Sequence, residues 1–180
     1  MDAILSATQA PDYPAQPILV LSNRPDAKGL DIAASQGIAT CAIDHKRYGK
    51  DREGFEREMD KALQTAKIDI IALAGFMRVL TPWFVQRWAG RLINIHPSLL
   101  PKYPGLHTHQ RAIDAGDSEA GCSVHWVTEG VDEGRVIAQA RVKILPGDTH
   151  ESLANRVLPQ EHKLYPEALK LACAQITQRQ

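Results

Sequence analysis

The chain has 180 residues, 44% of them hydrophobic, with Lys plus Arg and Asp plus Glu balanced at 21 each. That length suits one domain with a core on both sides of a sheet, and that charge excludes the cationic field of a nucleic-acid binder. The three cysteines, Cys41, Cys122 and Cys173, are widely spaced without a C-x-x-C pair, and no apolar run approaches the roughly 20 residues of a membrane span, so a disulfide framework, a zinc knuckle and a bilayer protein are all excluded. The expectation is a single domain over residues 1–180, cytoplasmic, without a signal peptide, acting on small molecules rather than nucleic acid or membrane, as a monomer or homodimer.

The opening stretch DAILSATQA has a helical pattern. Short β-branched runs then alternate with amphipathic ones: 17–23, 38–43, 68–76 and 91–98 read as strands, and 27–36, 53–66 and 82–88 as helices. The alternation predicts an α/β fold with a mostly parallel, doubly wound sheet. Thr81 before Pro82 makes an N-cap and first-turn proline, and Gly37 and Gly90 stand where two helices stop. Prolines and a glycine make residues 99–108 a structured loop before the helical RAIDAG. Two later strands, 123–128 and 135–144, flank the turn-rich EGVDEG and predict an antiparallel pair. Asp148 and Glu151 resemble a capping box for a last helix, which Pro159 should kink or split.

In LINIH, Asn94 and His96 lie two apart and so share one face of a strand that Pro97 ends. The carboxyl ends of strands in open α/β sheets form the ligand crevice. There an amide and an imidazole can both donate to an oxyanion, and the imidazole can also move a proton. Spacing alone equally allows a strand-end amide and a satisfied buried histidine. Asp132, between Gly130 and Gly134, can reach toward the imidazole or face water as a turn aspartate, and Glu129 and Glu133 share its loop.

The run INIHPSLLPKYPGLHTHQRAI, with AGFMRVL before it and SVHWVTEGVDEG after it, resembles the phosphoribosylglycinamide formyltransferase family from about residue 22 to 166. The resemblance implies formyl transfer from 10-formyltetrahydrofolate, as cosubstrate, to the amine of phosphoribosylglycinamide by direct attack, with no metal. It makes Asn94 and His96 the pair acting on the tetrahedral intermediate and Asp132 the partner that keeps His96 protonated. It puts Met77, Arg78, Val79 and Leu80 around the pterin, Arg52 on the carrier, and Glu161 against the acceptor substrate. For Met77, Val79 and Leu80 ordinary core packing, and for Arg52 and Glu161 solvated charge, remain the alternatives that residue type alone offers.

The family opens with a strand and a G-x-G-S-N turn that holds the substrate phosphate. The resemblance implies that both lie before residue 1, since Met1 aligns with the first turn of the following helix and no G-x-G occurs in the chain. Without that central strand two others should lack a hydrogen-bonding neighbour, and activity would depend on restoring the loop. The C-terminal CAQITQRQ likewise reads as a polar helical tail without an added strand. Relatives with other acceptors differ in flanking residues: methionyl-tRNA formyltransferase follows SLLP with W-R-G-A-A, and formyltetrahydrofolate hydrolase reads N-I-H-H-S-F-L-P, whereas Pro97 follows His96 here. A hydrolase-like activity, a non-catalytic folate binder, and a metal hydrolase using His96, His107, His109, His125 and Asp132 are the remaining readings; the last lacks an H-E-x-x-H spacing.

Overall fold

In the computed structural model, which describes residues 1–178, the β-branched runs form strands shorter than their apolar stretches. They are β1 (Leu19–Ser22), β2 (Ala39–Ala42), β3 (Ile71–Leu73), β4 (Leu92–His96), β5 (Glu119–Trp126) and β6 (Val136–Lys143). The helices are α1 (Asp2–Ala7), α2 (Lys28–Ser35), α3 (Arg52–Thr65), α4 (Pro82–Arg87), α5 (Thr108–Asp114) and α6 (His150–Thr177). β1 pairs with β2 and β3 with β4 in parallel, whereas β5 runs antiparallel to both β4 and β6. The antiparallel pairing expected late in the chain therefore extends back to β4.

The strands form two sheets, β1-β2 and β3-β4-β5-β6. Among the described residues β1 bonds to β2 alone and β3 to β4 alone, as the resemblance implied for two strands lacking a neighbour. Side chains hold the halves together instead. Leu19 and Leu21 of β1 and Ile71 and Leu73 of β3 pack against one layer made by Phe55, Met59 and Leu63 of α3 with Phe84 and Trp88. On the opposite face α6 buries Tyr165, Ala168, Leu169 and Ala172 against Ile93, Val124 and Trp126. Its first turns bury Leu153 and Val157 against Ala120 and Cys122.

Side-chain caps start three of the six described helices, α3, α4 and α6. Asp51 accepts the Gly54 N–H at 2.8 Å at the head of α3, and Thr81 accepts the Phe84 N–H at 3.4 Å at the head of α4. α5 begins at Thr108, ahead of RAIDAG, immediately after His107 in a left-handed conformation. α6 corrects two expectations. Its capping box is formed by Thr149 and Ser152, one residue later than expected. Asp148 instead accepts the Leu145 N–H at 2.7 Å and an ion pair from Arg156, tying the helix start to the end of β6. Nor does Pro159 split α6, which runs through both Pro159 and Pro166 to Thr177. Each proline removes one N–H, but the buried face on both sides of each proline keeps the helix on the sheet. Residues 179 and 180 of the expected tail lie outside the described residues. No described helix is long and apolar enough to cross a membrane.

Candidate active site

The β4–β5 register builds the site. Leu92 packs toward α3 and α4, so Asn94 and His96, at alternate positions, face the same way. Antiparallel pairing sets His125 opposite Asn94 and Ser123 opposite His96, which gathers four polar residues on one face. His96 is 6% exposed and His125 is 2% exposed, so neither is a surface imidazole.

Asp132 reaches this face from the loop between β5 and β6. Its Oδ2 lies 3.2 Å from His96 Nδ1 and accepts the Gly105 N–H at 2.9 Å. The conformational freedom expected of its neighbouring glycines belongs to Asp132 itself, whose φ is 56°. Gly134 serves another need, because a Cβ there would run into the Trp126 carbonyl. His96 Nε2 approaches the Tyr103 carbonyl at 2.9 Å. Both ring nitrogens of His96 thus face oxygen acceptors, and a ring protonated on both satisfies both contacts.

His125 is the part of the site that sequence reasoning missed, having entered it only as a metal-ligand candidate. Its Nδ1 donates to the Trp126 carbonyl at 3.0 Å, and its Nε2 lies 3.4 Å from the Asn94 amide nitrogen and 3.4 Å from Asp132 Oδ1. Burial pushes its pKa below the ordinary value, outweighing the Asp132 charge, so the ring is neutral near pH 7. A neutral Nε2 accepts from Asn94 and orients that amide, and the Asp132 contact becomes an ion pair only in acid. The available signal was the alternation Ser123-x-His125, but its meaning depended on a register across two strands. Among the described residues, no group of three His, Cys, Asp or Glu side chains is arranged to hold a metal ion.

The loop after β4 is braced from beneath by polar residues absent from the sequence reading. Ser123, with no exposed surface, donates to the Ser98 carbonyl at 2.6 Å and accepts the Leu100 N–H at 3.0 Å. Gln139 donates to the Leu100 carbonyl at 2.8 Å. These bonds hold the segment whose Tyr103 carbonyl meets His96.

Residues 77–80 follow β3, whose Leu73 pairs with Asn94, so they leave the sheet at the end where Asn94 and His96 stand. Met77 is 79% exposed and Val79 58% exposed, against the core-packing alternative; Leu80 does pack on the α3 layer. Arg78 stacks over Phe55 with 5.6 Å to the ring centroid. Arg52 is the exposed first residue of α3, and Glu161 lies half-buried in α6, its carboxyl pushed up by burial. Neither makes a hydrogen bond or ion pair with Asn94, His96 or Asp132 among the described residues.

Amide, imidazole and carboxylate gathered at one strand end of an open α/β fold form an arrangement able to donate hydrogen bonds to an oxyanion and to move a proton. Residues 1–169 match the family model described as formyl transferase. The chain is 48% identical over 173 residues to the trifunctional purine biosynthetic protein adenosine-3 of Drosophila melanogaster, covering 95% of this chain but 13% of that protein. It is 46% identical over 166 residues to the phosphoribosylglycinamide formyltransferase of Escherichia coli K12, covering 92% of this chain and 78% of that one. A crystal structure of phosphoribosylglycinamide formyltransferase from Brucella melitensis superposes with a TM-score of 0.91 at 51% identity, covering 97% of this chain and 89% of that chain. This chain belongs to the formyl transferase family.

Proposed function

We propose that this chain transfers the formyl group of 10-formyltetrahydrofolate to the amine of phosphoribosylglycinamide, in the cytoplasm and in purine biosynthesis; its Escherichia coli and Brucella melitensis relatives are named phosphoribosylglycinamide formyltransferase. The observation that carries the reading is the 3.2 Å approach of Asp132 to His96 beside Asn94 at the carboxyl end of β4. The acceptor amine attacks the formyl carbon, a C–N bond forms, and the carbonyl electron pair moves onto oxygen. The Asn94 amide and His96 Nε2–H then donate to that oxygen, the latter turning from the Tyr103 carbonyl. Asp132 orients the His96 ring by accepting from Nδ1. Collapse of the intermediate re-forms the C=O bond and breaks the bond to folate N10, which takes up a proton as the attacking nitrogen loses one; His96 is the group we assign to that transfer. Met77, Arg78, Val79 and Leu80 surround the pterin in this reading, the exposed side chains of Met77 and Val79 suiting a flat ring, with Arg52 on the carrier and Glu161 toward the acceptor.

The test is transfer of isotope-labelled formyl from the folate to phosphoribosylglycinamide, followed by mass spectrometry. Labelled N-formyl product supports the reading. Labelled formate alone would reassign the chain to hydrolysis, and folate binding without either product would make it a binder.

A further inference from the structure

One buried carboxylate is used by nothing described above. Glu56, in the second turn of α3, is 2% exposed, and a carboxylate at that depth is costly unless hydrogen-bonded. Both of its oxygens face one residue: the Thr81 N–H donates to Oε1 at 2.9 Å and the Thr81 hydroxyl donates to Oε2. No cation pairs with Glu56 among the described residues. Thr81 directly follows the 77–80 segment and also caps α4. The preceding helix residue, Phe55, lies beneath Arg78. Two successive residues of α3 therefore grip the segment at Arg78 and at its end, while Met77 and Val79 stay largely outside the core. Arg52, one turn back, projects from the same helix.

We propose that Glu56 is a positioning residue for folate binding: by fixing Thr81 it sets the 77–80 segment in register with Arg52 before the carrier arrives. The proposal rests on the reading that these residues meet the folate. A segment already held in its bound conformation loses less entropy on binding, so the contribution of Glu56 falls on carrier affinity and not on the acceptor. A charged acceptor taking two bonds from Thr81 holds it more firmly than a neutral amide, which offers one acceptor oxygen and turns an NH2 toward a donor.

The test measures dissociation constants of 10-formyltetrahydrofolate and of phosphoribosylglycinamide by calorimetry for the wild-type protein, Glu56→Gln, Thr81→Val and Thr81→Ser, with circular dichroism to check the fold. Glu56→Gln should weaken folate binding about tenfold, or ~1.4 kcal/mol, and change acceptor binding by less than about twofold. Thr81→Val, which keeps the N–H bond, should show a smaller loss with the same selectivity, so it carries the test should Glu56→Gln misfold. Thr81→Ser, which keeps both donors, should bind as the wild type does. Adding Thr81→Val to Glu56→Gln should cost little more, because both disrupt one contact. Unchanged folate affinity in Glu56→Gln and Thr81→Val, or an equal loss for both ligands, would overturn the proposal. A wild-type protein that binds no folate would instead reject the underlying reading of the site.

Discussion

The His96 ring is held by acceptors on both sides, and each side has a separate role. Nδ1 is held by Asp132, whose charge an asparagine does not supply, so Asp132→Asn should depress formyl transfer at neutral pH while leaving folate affinity nearly intact. Transfer rates and folate dissociation constants compared for the two proteins check this; a matched loss of both would reduce Asp132 to a loop anchor through Gly105. With Asn94 as the proposed oxyanion donor, Asn94→Ala should cost about 10²–10³ in rate. Of this site, Asn94 and His96 were legible because strand alternation alone puts them on one face. Asp132 was legible through the family resemblance, since a loop aspartate with φ of 56° has no sequence signature. His125 was not legible as a neighbour, because its approach to Asn94 follows from a pairing between residues 31 apart.

Among the elements, the end of α6 nearest β6 carries the clearest pH dependence. The Arg156 guanidinium, the Leu145 N–H and the Ser152 hydroxyl hold the Asp148 carboxyl well below the usual carboxylate range. A depressed folded-state pKa gives stability that is fully present above the ordinary value near 3.8 and lost as pH falls toward the folded one. Asp148→Asn should therefore melt at a lower temperature than wild type at pH 7, with the gap closing as pH drops below about 4; a gap independent of pH would contradict this. The middle of the same helix braces the sheet. The buried Tyr165 phenol donates to the Leu73 carbonyl at 2.6 Å and lies 3.3 Å from that of Ile93, linking β3 to β4. Tyr165→Phe should cost about 1–2 kcal/mol in urea unfolding. Capping residues and glycines made most helix boundaries readable in advance. The prolines of α6 misled because local propensity was overridden by burial of Val157, Tyr165 and Ala168, contacts that no local window contains.

At the scale of the whole molecule, the division into two sheets sets a gradient of stability. β5 has a hydrogen-bonded strand on each side and α6 across one face, whereas β1 and β2 have only each other as hydrogen-bonded strands among the described residues, with α2 and the α3 layer packed against them. A two-stranded ribbon is marginal without such support, so amides of β1 and β2 should exchange with deuterium well before those of β5. Uniform protection across both sheets, measured by hydrogen-exchange mass spectrometry, would contradict that gradient. The α/β class was readable from the alternation of runs; the break between β1 and β3 was foreseeable through the family's strand order. The end of β4 that carries Asn94 and His96, the proposed site, lies in the better supported sheet, which is where a site needing fixed donors belongs. The most direct measurement of the account is the single-turnover rate of labelled formyl transfer from 10-formyltetrahydrofolate to phosphoribosylglycinamide, in wild type and in His96→Ala. The account predicts N-formyl product from wild type and a rate lower by about 10²–10³ in the variant; no product from wild type, or an undiminished rate in His96→Ala, would contradict it.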